Sequence, residues 1–154
     1  MSEINEELRR LIEDRESIKV VSSINREGII NSAPKGSLEI SGKDELTYVE
    51  ILESSKSYRN IVYSIWFDKK ISILIVGKDR ESYQIQGSVK KILTCGTEYE
   101  EYYRKYQGAR GFDIAAVVKI KIEDINDLNL VKGIEKQKKE HPFFSHYDSI
   151  SIAG

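Results

Sequence analysis

Several things are scarce in this chain, and each scarcity closes a class of explanation. A single cysteine, Cys95, among 154 residues excludes an internal disulfide framework and a four-cysteine zinc site. Neither sign of charge is in excess. The 24 basic and 25 acidic residues leave a net charge of −1, so no global field draws the protein to nucleic acid or to an anionic membrane. Long apolar runs are missing as well. The longest, Ile71-Ser72-Ile73-Leu74-Ile75-Val76, has the length of a strand and falls far short of the roughly 20 residues that span a bilayer. Glu3, Glu6 and Glu7 stand where a secretory leader would be basic and then apolar. The two histidines, His141 and His146, are off the spacing of a helical metal pair and read as ordinary tail residues, so no metal site is expected. Phosphate-binding Gly-x-x-x-x-Gly-Lys-Ser/Thr and dinucleotide-binding Gly-x-Gly-x-x-Gly loops are absent. What remains is a cytoplasmic protein, 40% hydrophobic and 32% charged, long enough to bury the core of one domain over residues 1–154.

Within that domain the hydrophobic period changes along the chain. Ile4, Leu8, Leu11 and Ile12 recur at helical spacing and predict an amphipathic helix over about 3–16. Residues 18–24 and 29–34 flank the turn Asn25-Arg26-Glu27-Gly28 and read as a β-hairpin, with Pro34 suited to an edge because it lacks an N–H. A second hairpin joins 37–40 to 46–51. Tyr58, Ile61, Val62, Ile65 and Trp66 then fall on one helical face. Two longer strands follow over 70–77 and 82–94, the second alternating Tyr83, Ile85, Gly87 and Val89 with polar residues. A helix over about 97–107 carries a stripe of Tyr99, Tyr102, Tyr103 and Tyr106, read as core or dimer contact. Residues 116–122 form a last strand, and about 126–154 read as a polar tail. Cys95, beside Gly96 at a strand end, is taken as structural. The fold class predicted is mainly β (α+β): a six-stranded antiparallel barrel with flanking helices, closed so that no sheet edge is left open.

The segment Ser54-Ser55-Lys56-Ser57-Tyr58-Arg59-Asn60 gathers hydroxyl and cationic donors at a predicted helix start. Unpaired N–H groups and the positive end of the helix dipole favour an anion there, and a phosphate is the guest such donors suit. An ordinary serine cap with solvated charges is the competing reading.

Taken in order, these segments resemble the FMN-binding split β-barrel proteins related to pyridoxamine 5′-phosphate oxidase. The residues that carry the resemblance are Val20-Val21-Ser22-Ser23-Ile24…Glu27-Gly28, Asn31-Ser32-Ala33-Pro34, Leu46-Thr47-Tyr48-Val49, Ser55-Lys56-Ser57-Tyr58-Arg59-Asn60-Ile61 and Gln84-Ile85-Gln86-Gly87. It implies a homodimer with FMN at the subunit interface. The phosphate would lie near Ser55, Lys56 and Ser57, with Asn60 in the same motif. Lys35, Ser37 and the backbone around Val49 and Glu50 would line the ribityl chain and ring, and Gln86 would meet a polar ring edge. The aromatic tail over 141–147 would cover the partner's flavin or pack on its own body. Ser57 stands where the family often has a second cation, and no arginine follows Arg110, so the vitamin-B6 reaction itself is not implied.

The function implied is that of an oxidoreductase passing hydride or electrons between a reduced nicotinamide donor and a small acceptor, with the chemistry carried by the flavin. A flavin- or haem-binding protein without turnover is the alternative, and a cofactor-free β-barrel interaction module a third reading.

Overall fold

The computed structural model describes residues 3–140. Helix α1, Glu6–Glu13, opens where the Asn5 side chain accepts the Leu8 N–H at 2.8 Å, and it buries Leu8, Leu11 and Ile12. It is shorter than the predicted 3–16 at both ends. Asn5 caps its start, and Asp14 turns the chain by accepting the Ser17 N–H on its carbonyl and the Glu16 N–H on its carboxylate.

Strands β1, Ile18–Ile24, and β2, Ile30–Pro34, form the first hairpin. The Asn25 carboxamide accepts the N–H groups of Glu27 and Ile29, each at 2.9 Å, and Gly28 takes φ +82°, as that turn requires. Strands β3, Glu39–Gly42, and β4, Glu45–Glu50, make the second. Helix α2 runs over Lys56–Phe67, followed by β5, Lys70–Val76, and β6, Ser82–Leu93. Helix α3, Thr97–Arg110, strand β7, Ala116–Asp127, and helix α4, Leu130–Glu140, complete the described chain.

All seven strands join one antiparallel sheet in the order β2-β1-β5-β6-β7-β4-β3. The architecture is α+β as predicted, but the closed six-stranded barrel is corrected to a seven-stranded open sheet. Its two edges are protected without closure. β3 is four residues long, and β2 ends in Pro34, which offers no N–H to a neighbour. Register shifts between Gln86 and Gly87 and between Val89 and Lys91 let β6 bend against β7.

One face of the sheet builds the main core with α1 and α2. Tyr83, Ile85 and Val89 of β6 and Val118, Ile120 and Ile122 of β7 are buried there, following the predicted alternation. On the other face Val49, Ile114 and Val117 lie under the tyrosines of α3, so that stripe is core packing within the chain. Cys95 is exposed and has no place in either core.

Two helices differ from expectation. The buried side of α2 is Ser57, Asn60, Ile61 and Ser64, whereas Trp66 is 77% exposed. Small polar residues face the sheet because they have partners there or in the helix itself, such as Ser64, whose hydroxyl donates to the Asn60 carbonyl at 2.6 Å. Helix α4 stands over residues 130–140 where a polar tail was expected. The Asn129 side chain caps it by accepting the Val131 N–H at 3.0 Å, but none of its residues is buried.

Candidate functional site

The loop after β2, the end of β4, the start of α2 and the last turn of α3 enclose a cleft of about 280 Å³. Pro34, Lys35, Gly36 and Ser37 form one wall, and Val49, Glu50, Ile51, Leu52 and Ser55 form the second. Tyr106, Arg110 and Phe112 close the third side. Phe112 reaches the cleft because Gly111 ends α3 in the left-handed conformation at φ +69° and turns the chain back.

The pleat of β4 sends Tyr48 and Glu50 to the same side. Glu50 is 1% exposed, and its carboxylate is fully partnered. Lys35 Nζ donates to Oε1 at 2.7 Å, Ser57 Oγ to Oε2 at 2.7 Å and the Tyr48 hydroxyl to Oε2 at 3.2 Å. Burial, and then the Glu50 charge beside it, pushes the Tyr48 phenol well above its ordinary pKa, so it stays a neutral donor. The Lys35 ammonium also lies 5.7 Å from the centre of the Tyr48 ring.

Two hydroxyls in the walls keep a proton to donate. Ser37 Oγ accepts the Val49 N–H at 3.0 Å, and Ser55 Oγ caps α2 by accepting the Tyr58 N–H at 3.0 Å. Each O–H therefore remains free to point at a ligand. Arg110 has no ion-pair partner among the described residues, which makes it the uncommitted cation of the cleft.

Of the residues the resemblance implies for one FMN site, Lys35, Ser37, Val49, Glu50 and Ser55 line one cleft. Ser57 stands behind the wall and is bonded to Glu50. Lys56 and Asn60 line a different groove of about 440 Å³, with Arg59, Tyr63 and the β1–β2 turn. Gln86 lies exposed on β6, opposite Ser72 and Asp124, and lines neither space. The stretch 141–147 and both histidines lie outside the described residues. Tyr106, Arg110 and Phe112 were not anticipated. A sequence signal existed only for Tyr106, as the last member of the tyrosine stripe.

A second charged cluster sits away from the cleft. Glu45 accepts from Lys90 at 3.0 Å, Lys119 at 3.2 Å and Ser41 at 2.9 Å. Burial opposes its ionisation, yet these three donors outweigh it and hold its pKa at about 2. Among the described residues there is no cluster of metal-ligating side chains, and no helix is long and apolar enough to cross a membrane.

No family model and no curated protein matches the chain. Solved structures do. HupZ of Group A Streptococcus is 27% identical over 82% of this chain and 95% of its own, with a TM-score of 0.69. A proposed pyridoxamine 5′-phosphate oxidase of Lactobacillus delbrueckii is 18% identical over 82% and 95%, with a TM-score of 0.65. An FMN-binding protein of Syntrophomonas wolfei is 19% identical over 79% and 84%, with a TM-score of 0.64. The class is that of small α+β proteins built on one antiparallel sheet with a cleft at the end of β4. In its fold the chain is similar to proteins described as pyridoxamine 5′-phosphate oxidase-like and FMN-binding, the family its motif order resembles.

Proposed function

We propose that this protein is an FMN-binding flavoprotein of the oxidoreductase type. It passes hydride or electrons between a reduced nicotinamide donor and a small acceptor, as a homodimer with the flavin at the subunit interface. The observation that carries this reading is the convergence of Lys35, Ser37, Glu50, Ser55 and Arg110 on one cleft, in a fold shared with proteins described as FMN-binding.

The donor set fits such a group. Ser37, Ser55 and Arg110 offer hydrogen bonds to a phosphate or polyol, while Pro34, Leu52, Tyr106 and Phe112 offer apolar surface to a planar ring. Lys56 does not share this cleft, so the phosphate contact assigned to it passes to Arg110 and the two serines. At about 280 Å³ the cleft is at the small end of ligand pockets, which supports a second subunit completing the site. The bound flavin supplies the hydride or electron chemistry. The chain's own residues bind, orient and exclude water.

Desalting the purified protein after incubation with FMN tests this reading. A retained flavin absorbance band and oxidation of NADH or NADPH above that of free FMN are expected. Loss of all flavin on desalting, with no fluorescence change on titration, would refute it. One feature favours the non-catalytic alternative: the carboxylate in the cleft, Glu50, is fully paired and not free to relay a proton. Retained flavin without nicotinamide oxidation, or a Soret band on adding haemin, would select that alternative.

A further inference from the structure

We infer that Glu50 is a built-in counter-anion that lowers the preference of the cleft for a phosphorylated flavin over its unphosphorylated form. The inference rests on the flavin reading above and adds the residue that sets its specificity.

An anion arriving at the end of β4 would be drawn first to the nearest cation and to the first turn of α2. Both are taken. Lys35 Nζ is 2.7 Å from one Glu50 oxygen, and the hydroxyl of Ser57, in the first turn of α2, is 2.7 Å from the other. Tyr48 adds a third bond, and the carboxylate is 1% exposed. A carboxylate bonded this way is fixed in place, because charge-assisted hydrogen bonds are short and about twice as strong as neutral ones. Its charge cancels that of Lys35 in the wall, leaving Arg110 as the unpaired cation of the cleft. A ligand phosphate therefore meets one unpaired cation where the lining holds two, whereas a ribityl chain, which carries no charge, loses nothing. Replacing Glu50 by an uncharged residue restores a net positive charge beside the start of α2.

The test is the ratio of dissociation constants for riboflavin and FMN, read by flavin fluorescence on the full chain and on Glu50→Gln. The natural protein should prefer FMN by less than about tenfold. Glu50→Gln, whose one amide oxygen can accept from Lys35 while its NH2 faces the Ser57 and Tyr48 hydroxyls, which can turn to accept, should raise that ratio by a further factor of about ten, equivalent to 1.4 kcal/mol, with FMN affinity moving more than riboflavin affinity. Glu50→Thr, which keeps a hydroxyl acceptor, serves as the second variant should the first fold poorly and should move the ratio the same way. An unchanged ratio in a folded variant, or equal shifts for both flavins, overturns the counter-anion while the flavin reading stands. Binding of FMN by the variant alone supports the counter-anion and refutes the flavin reading of the natural protein. Binding of neither flavin by any form overturns both.

Discussion

Lys35 Nζ and Glu50 Oε1 lie 2.7 Å apart, with the lysine side chain 14% exposed and the glutamate 1%. Such a pair adds little over an apolar one, but removing one partner strands the other. Lys35→Met should therefore cost about 3 kcal/mol in urea denaturation, because the buried Glu50 carboxyl would lose its cation partner. The double variant Lys35→Met with Glu50→Gln should recover most of that loss. Equal destabilisation by single and double variants would show that the lysine stem, not the charge, matters.

Much of this arrangement is legible in the amino-acid sequence. Alternation in β6 and β7 located the core face, because a pleated strand with one apolar side can be read residue by residue. The loop after β2 and the end of β4 were picked out through the order of their motifs. The role of Glu50 was not. A glutamate at a strand end usually faces water, and only the fold brings Lys35, fifteen positions earlier, and Ser57, seven later, onto it. Lys56 and Ser57 are neighbours in sequence, yet Lys56 lines the groove beside the β1–β2 turn while Ser57 is buried against Glu50, since successive helical residues point in different directions. The buried side of α2 was misread for a related reason. Ser57, Asn60 and Ser64 carry no hydrophobic signal, and Trp66 and Phe67 carry a strong one while remaining exposed.

Gly87 has no room for a side chain. A Cβ there would lie 2.7 Å from the Lys121 carbonyl oxygen and 2.8 Å from Ile120 Cγ2, and the carbonyl belongs to the backbone of the paired strand. Gly87→Ala should cost about 2 kcal/mol through overpacking and widening of the β6–β7 pairing. Gly36→Ala, with nothing within 4 Å, is the control that should leave the urea midpoint nearly unchanged.

Acid should erode stability through Glu45. Its folded pKa of about 2 lies below the ordinary 4.5, so its contribution is complete above pH 4.5 and is lost as pH falls through about 2. Urea denaturation between those limits should show stability declining with pH. Glu45→Gln should lower stability at neutral pH and flatten that decline. A parallel curve for the variant would remove Glu45 from the account.

Arg110 and Lys56 make opposite predictions. Arg110 lines the cleft and lacks an ion partner among the described residues, so Arg110→Ala should weaken FMN about five- to tenfold, the loss of one exposed charged hydrogen bond. Lys56 lines the groove beside the β1–β2 turn, and Lys56→Ala should change FMN affinity less than about twofold. Fluorescence titration of both variants decides between the two grooves. The reverse ranking would move the flavin phosphate to the outer face of α2.

Trp66 is 77% exposed and Phe67 56% exposed, and Val62, Ile65 and Ile92 form an apolar groove beside Trp66. Large apolar side chains grouped on a surface mark an interface, and the dimer proposed above gives them one. Trp66→Glu should leave the urea midpoint of the isolated fold within about 0.5 kcal/mol, because an exposed side chain contributes little to packing. In analytical ultracentrifugation the same change should convert a dimer to a monomer, since a charge placed within a closed apolar contact has no partner. FMN affinity should fall with it if the second subunit completes the cleft. A monomeric variant that binds FMN as tightly as the natural protein would confine the site to one chain.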